Sequence, residues 1–185
     1  RTFFFSPYAV AASVVGLIWV WLLDTQYGLI NKYLNFLGIE NIPWLTSTNW
    51  VLIGVSIASI WWDLGLAFIL FLAGLEHIPK DLIDSSKTDG ANPLQRLIYV
   101  VIPYMRPVIS MVITLQLIAT LRIFSQILVM TSGGPAGASS SPIFYIYTTA
   151  IENQLFGYSS AVSIVLFIFI LTLTALMRFA IRERL

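Results

Sequence analysis

The sequence predicts an all-α integral membrane protein whose helices cross the bilayer four times. Three observations carry that expectation. First, 58% of the 185 residues are hydrophobic and only 10% are charged, whereas soluble domains are about one quarter charged. Second, four long apolar stretches approach the roughly 20 residues that a crossing requires. Third, the basic residues fall on alternate connections between those stretches.

The four stretches run near 7–23, 51–75, 107–130 and 158–181, each rich in Leu, Ile, Val and Phe. With no water to satisfy backbone groups in the bilayer, each is expected to be helical. The connection 24–50 holds Gly, Asn and Pro together with Tyr27, Tyr33 and Trp44. Within it Leu29, Ile30, Tyr33, Leu34 and Leu37 keep helical spacing, the pattern of a short helix lying in the interface. Thr131–Ser132–Gly133–Gly134–Pro135 opens an irregular connection and reverses the chain after the third stretch. A second surface helix is expected over 142–156, because Ile143, Ile146, Tyr147 and Ala150 share a face. Glu152 beside it is expected to be solvated or to touch a soluble partner.

Lys80, Lys87, Arg96 and Arg106 lie between the second and third stretches, and Arg1, Arg178, Arg182 and Arg184 lie at the ends. The connection 24–50 has only Lys32, and 131–157 has no basic residue. The central connection and both ends are therefore expected on the cytoplasmic side of a cell membrane. A net charge of +1 gives no reason to expect nucleic-acid binding. The absence of Cys and the single His, His77, argue against disulfides, thiolate chemistry and a histidine metal cluster. His77 itself is expected to be an interface anchor. The chain opens on Arg1, with no signal peptide ahead of its first apolar run, which suggests a portion of a longer protein.

The central connection, 76–106, is the most polar interval. Pro79 suits the start of a helix, and 80–88 contains no breaker. Gly90 can take the positive φ that ends a helix. Asn92 and Pro93 form a cap and first-turn pair for a second helix, whose Leu94, Leu97, Ile98 and Val101 make an apolar stripe. Ile102 precedes Pro103 and is expected to be extended, ending that helix before Pro107 opens the third crossing.

The run Asp84–Ser85–Ser86–Lys87–Thr88–Asp89–Gly90–Ala91, with Ile102–Pro103 and Arg106–Pro107, resembles the EAA loop of ABC importer permeases. The likeness is to the carbohydrate-uptake, binding-protein-dependent branch of maltose and glycerol-phosphate type. Phe71–Leu72–Ala73–Gly74–Leu75 with Ile78–Pro79, and Met130–Thr131–Ser132–Gly133–Gly134–Pro135, are similar to the same branch. Asp84 stands where the family has Glu, and Ser85 and Ser86 stand where it has two alanines.

The resemblance implies a type I ABC importer transmembrane domain, of which this chain is one permease domain carrying the C-terminal four spans. It implies that Asp84, Ser85, Ser86, Asp89, Gly90, Ala91, Leu94 and Pro103 form a coupling helix that docks on ABC ATPase subunits. It further implies a second related permease, an extracytoplasmic solute-binding protein, and ATP and Mg held on the ATPase subunits. The chain itself would bind no cofactor and catalyse nothing, and it has no phosphate-loop motif. About the first hundred residues of a typical member are expected to be missing here.

Asp63 and Arg122 sit inside expected crossings, where each costs about 2.5–3.5 kcal/mol if left facing lipid. Counted along their helices, they lie about 18 Å and about 22 Å from the inner ends. Three readings stand: a structural ion pair, a solute site with Gln116, Ser125 and Gln126 beside Trp61 and Trp62, or an anion site on Arg122. The leading function is an ATP-driven importer of sugars or related polyols. The alternative is a secondary transporter or channel subunit whose pathway is Asp63 and Arg122.

Overall fold

The computed structural model describes residues 5–182, with side chains to residue 179. Arg1 and Arg184, and the side chain of Arg182, lie outside the described residues. After a 3-10 turn, Ser6–Ala9, come α1 (Ala12–Leu22), α2 (Leu29–Phe36), α3 (Val51–Glu76) and α4 (Lys80–Thr88). Then follow α5 (Pro93–Leu121), α6 (Ser125–Met130), α7 (Pro142–Tyr147) and α8 (Phe156–Arg182). Among the described residues, three helices are long and apolar enough to cross a membrane: Val51–Glu76, Pro93–Leu121 and Phe156–Phe179.

Two of the four expected crossings take another form. The segment 7–23 is not one helix. Pro7 sits in the 3-10 turn, and Val10 is extended at ψ 141°. That leaves α1 only 11 residues, about 16 Å long at helical rise and far short of a ~30 Å hydrocarbon core. The third crossing starts earlier and stops sooner than 107–130. It runs unbroken from Pro93 to Leu121 and then breaks over residues 122–124, before α6.

Pro103 does not end this helix, and Ile102 is helical at φ −60°, ψ −47° rather than extended. A proline ring in a helix clashes with the carbonyl four residues back and cannot donate a bond. Here the five residues Leu97–Val101 just ahead of it are wound in π geometry, and Ile102 N–H donates to Leu97 O. Widening the turn relieves the clash at Pro103, and α5 also continues through Pro107. Membrane helices tolerate such local adjustments because the freed backbone groups find other partners.

The core lies at one end of the long helices. Leu23 after α1, Trp44 of the following loop, Val55 and Ala58 of α3, Ile127 and Met130 of α6, and Phe144 of α7 pack there. The expected face of the second surface helix is displaced. Phe144 and Thr149 are the buried residues, while Ile143, Ile146, Tyr147 and Ala150 are half-buried.

Asn31 of α2 fastens this core. It is 1% exposed. Its Nδ2 donates to the carbonyls of Asp24, Thr25 and Ile42, and its Oδ1 accepts from Ile42 N–H and from Trp44 Nε1 at 3.0 Å. One side chain thereby closes the loop 24–50 on itself. Asn31→Leu would strand the Trp44 and Ile42 donors in an apolar setting. It is expected to lower stability by about 3 kcal/mol, read as a drop in melting temperature of the detergent-purified protein.

Candidate functional site

Two features stand out from the apolar bundle: a polar hairpin at one end of α3 and α5, and a cavity farther along the same two helices.

The hairpin is built by local signals. Asp81 in the first turn and Lys87 in the last turn of α4 complement the helix dipole. Gly90 takes φ +80°, where a side chain would be strained. Asn92 and Gln95 form a capping box, with Gln95 N–H donating to Asn92 Oδ1 at 2.8 Å and Asn92 N–H donating to Gln95 Oε1 at 2.9 Å. Lys87 Nζ lies 2.7 Å from Asp84 Oδ1. That charge-assisted hydrogen bond and its field hold the Asp84 carboxyl below the usual carboxylate range. Ser86 is buried and Ser85, Asp89 and Gly90 are exposed, while Ala91 and Pro103 are half-buried. Leu94, Leu97, Ile98 and Tyr99 are all exposed.

The hairpin is joined stiffly to the long helices. Only residues 77–79 separate α3 from α4, and α5 leaves the hairpin without interruption. At its base a Cβ on Gly74 would stand 3.0 Å from Val108 Cγ1, so glycine lets α3 and α5 touch. Tyr104 O–H donates to the carbonyl of His77. His77 caps α3, and its Nδ1 bonds to Ala73 O at 2.7 Å.

The cavity, of about 670 Å³, brings together Asp63, Gln116, Arg122, Ser125 and Gln126. Among the described residues no ion pair joins Asp63 to Arg122. Trp62 lines the cavity, and its ring is braced by Nε1–H donation to Val10 O and by Tyr8 at 5.0 Å. Trp61 does not line it; that ring meets Trp19 edge-on. Ser56, Ser59 and Thr120 also line the cavity and were not among the expected residues. Ser59 and Thr120 hide their hydroxyls by donating to the Val55 and Gln116 carbonyls of their own helices. The signal that finds them is positional. Ser56, Ser59 and Asp63 stand at i, i+3 and i+7 and form one polar stripe in an apolar helix. Amides, hydroxyls, a carboxylate and a guanidinium around one cavity can hydrogen-bond a polyhydroxylated solute and hold a charged substituent on it.

The family model described as binding-protein-dependent transport system inner membrane component matches residues 1–183. The sulfoquinovosyl glycerol transport system permease protein SmoG of Agrobacterium fabrum is 32% identical over 178 residues, covering 96% of this chain and 58% of that protein. The trehalose/maltose transport system permease protein MalF of Thermococcus litoralis is 33% identical, covering 91% of this chain and 57% of its own length. The sn-glycerol-3-phosphate transport system permease protein UgpA of Yersinia pseudotuberculosis is 33% identical, with 95% and 60% covered. The chain therefore spans less than two thirds of the length of these relatives. A chain from the crystal structure of a bacterial ABC transporter involved in the import of the acidic polysaccharide alginate has the same fold. Its TM-score is 0.88 at 22% identity, over 98% of this chain and 64% of that one.

The depressed pKa of Asp84 fixes a pH expectation. A carboxyl whose folded pKa is depressed adds stability above its unfolded value of about 3.9, and that contribution is lost only as pH falls through the folded value. Comparing Asp84→Asn with the unmodified protein from pH 5 to 8 should give a melting-temperature difference that does not change with pH.

Proposed function

The chain belongs to the binding-protein-dependent transport system inner membrane component family, and we propose that it is permease machinery of an ATP-driven importer of sugars or related polyols. The hairpin, with Asp84, Ser85, Ser86, Asp89, Gly90, Ala91 and Leu94, docks in a cleft of a soluble ATPase subunit, as a helix seats in a groove. The hairpin and the C-terminus face the cytoplasm, as the basic residues around them require. ATP and Mg are held by the ATPase subunits. A second, related permease and an extracytoplasmic solute-binding protein complete the assembly.

The observation that carries this reading is the continuity of the hairpin with α3 and α5. A displacement applied at the hairpin is transmitted along both helices, because Gly74 lets them pack without a gap and Tyr104 ties their base together. The same helices present Asp63 and Gln116 to the cavity. Closure of the ATPase pair is thereby converted into a change of shape around the solute. Leu94, exposed in the first turn of α5, gives the hairpin an apolar contact beside Asp84 to Ala91. Asp84 remains an exposed carboxylate that a basic residue of the partner can bond, in competition with Lys87. The relatives named for sulfoquinovosyl glycerol, trehalose/maltose and sn-glycerol-3-phosphate transport support a hydroxylated solute.

Gly90→Pro in the full-length permease tests the docking. Proline holds φ near about −65°, which is incompatible with the +80° of Gly90. The variant is expected to reach the membrane, to lose copurification with the ATPase, and to abolish uptake in vesicles. Normal uptake would remove the hairpin from the mechanism, and solute flux independent of ATP would favour a secondary transporter.

Arg122→Ala tests the cavity in the reconstituted transporter. Loss of a charged hydrogen bond to solute corresponds to roughly a tenfold rise or more in the half-saturating concentration, measured as solute-stimulated ATP hydrolysis. Unchanged affinity with lowered thermal stability would assign Arg122 a purely structural role.

A further inference from the structure

The geometry points to Ser141 as a positioning residue for the cavity, an inference that rests on the solute-binding reading of that cavity. Six consecutive residues, Arg122 to Ile127, line it. A continuous helix turns about 100° per residue and cannot present six in a row to one side. The lining therefore depends on the break after Leu121. At that break Arg122 is non-helical at φ −103°, ψ 11°, and Phe124 lies at φ −137°, ψ −58°.

A break leaves carbonyls that the helix no longer satisfies, and an unbonded one is costly away from water. Ser141 supplies a donor for one of them. Its buried hydroxyl donates to Ile123 O at 2.6 Å. The same oxygen accepts from Phe144 N–H at 3.1 Å and so caps α7. One hydroxyl therefore fastens the broken backbone to the start of α7. Ring packing repeats the connection, since Phe124 meets Tyr147 at 5.1 Å and Phe144 at 6.4 Å. Ser141 lies outside the cavity lining. It acts on the solute only by fixing where Arg122 to Gln126 stand.

The test uses Ser141→Ala and Ser141→Thr in the full-length permease, reconstituted with its ATPase and binding protein. Ser141→Ala is expected to raise the solute concentration for half-maximal uptake about fivefold to tenfold, the range of a lost hydrogen bond, and to change the maximal rate less. Ser141→Thr, which keeps the hydroxyl, is expected to restore it. An unchanged half-saturating concentration with a lower melting temperature would overturn the proposal, leaving Ser141 as a helix cap only. Should the Ala variant fail to reach the membrane, Ser141→Cys, with its weaker donor, carries the same comparison. Equality of Ser141→Cys with the unmodified protein would overturn the proposal.

A second readout does not depend on transport. This chain has no cysteine, so Ser125→Cys in a cysteine-free full-length background reports access to the break by its labelling rate with a water-soluble maleimide. Adding Ser141→Ala should change that rate severalfold without any solute present, and an unchanged rate would overturn the latch. A changed rate in a protein that transports no solute would keep the latch and sink the importer reading.

Discussion

A polypeptide in hydrocarbon has no water to bond with, so every backbone N–H and C=O must find a partner inside the protein. The three long helices meet that demand within themselves. The instructive places are where the helical ladder is disturbed and a substitute appears. At Pro103 the substitute is a π turn, with Ile102 N–H reaching back five residues to Leu97 O. At the break after Leu121 it is the Ser141 hydroxyl on Ile123 O. In the loop 24–50 it is Asn31, whose amide closes three carbonyls and two donors around itself. Each departure from regular helix is matched by a specific polar group, and each positions something: a continuous α5, a cavity wall, a closed core.

The continuity of α5 matters most to the proposed mechanism. Had Pro103 ended the second hairpin helix, the hairpin would hang on a flexible joint, and motion there would dissipate before reaching the cavity. The π turn preserves a single rod from Pro93 to Leu121. Gly74 allows α3 to lie against it at Val108 and Met105. The hairpin lies at one end of the two helices, and Asp63 and Gln116 lie farther along them.

Much of this was legible in the residues. Gly90, Asn92 and Pro93 announce the hairpin turn by chemistry that is local, so tertiary context had little power to change it. The helices at 51–76 and 156–182 follow from apolar length. The expected end at Pro103 was misleading because the rule for the residue before proline assumes α geometry, and nothing in Leu97–Val101 marks a π turn. The break at Arg122–Phe124 was hidden for a related reason. The run Arg122–Ile123–Phe124–Ser125–Gln126 holds no Gly or Pro to mark a break, and the donor that satisfies the freed Ile123 carbonyl is a hydroxyl 18 residues away along the chain. Asp63 and Arg122 drew attention as charges in apolar surroundings, whereas Ser56, Ser59 and Thr120 did not, because small hydroxyls can bond their own helix. Trp61 and Trp62 are adjacent and chemically identical, and only the 100° rotation between them decides which one reaches the cavity.

Arg122 occupies the point where these devices meet. It is the cap of α5, the moving rod of the proposed mechanism, and its cationic side chain suits the negative end of that helix. The next residue, Ile123, is held through Ser141 to α7. Movement of α5 along or about its axis would carry Gln116 and Thr120 with it, while Ile123 to Gln126 stay with α7. The wall of the cavity would then shear at Arg122 rather than translate as a whole. A guanidinium at that seam would keep its distances to the polar groups on one side of it and change those to the groups on the other as the rod moved. A solute held between the two walls would lose its contacts on one side before the other. That is the physical requirement for a site that must bind on one face of the membrane and let go on the opposite one.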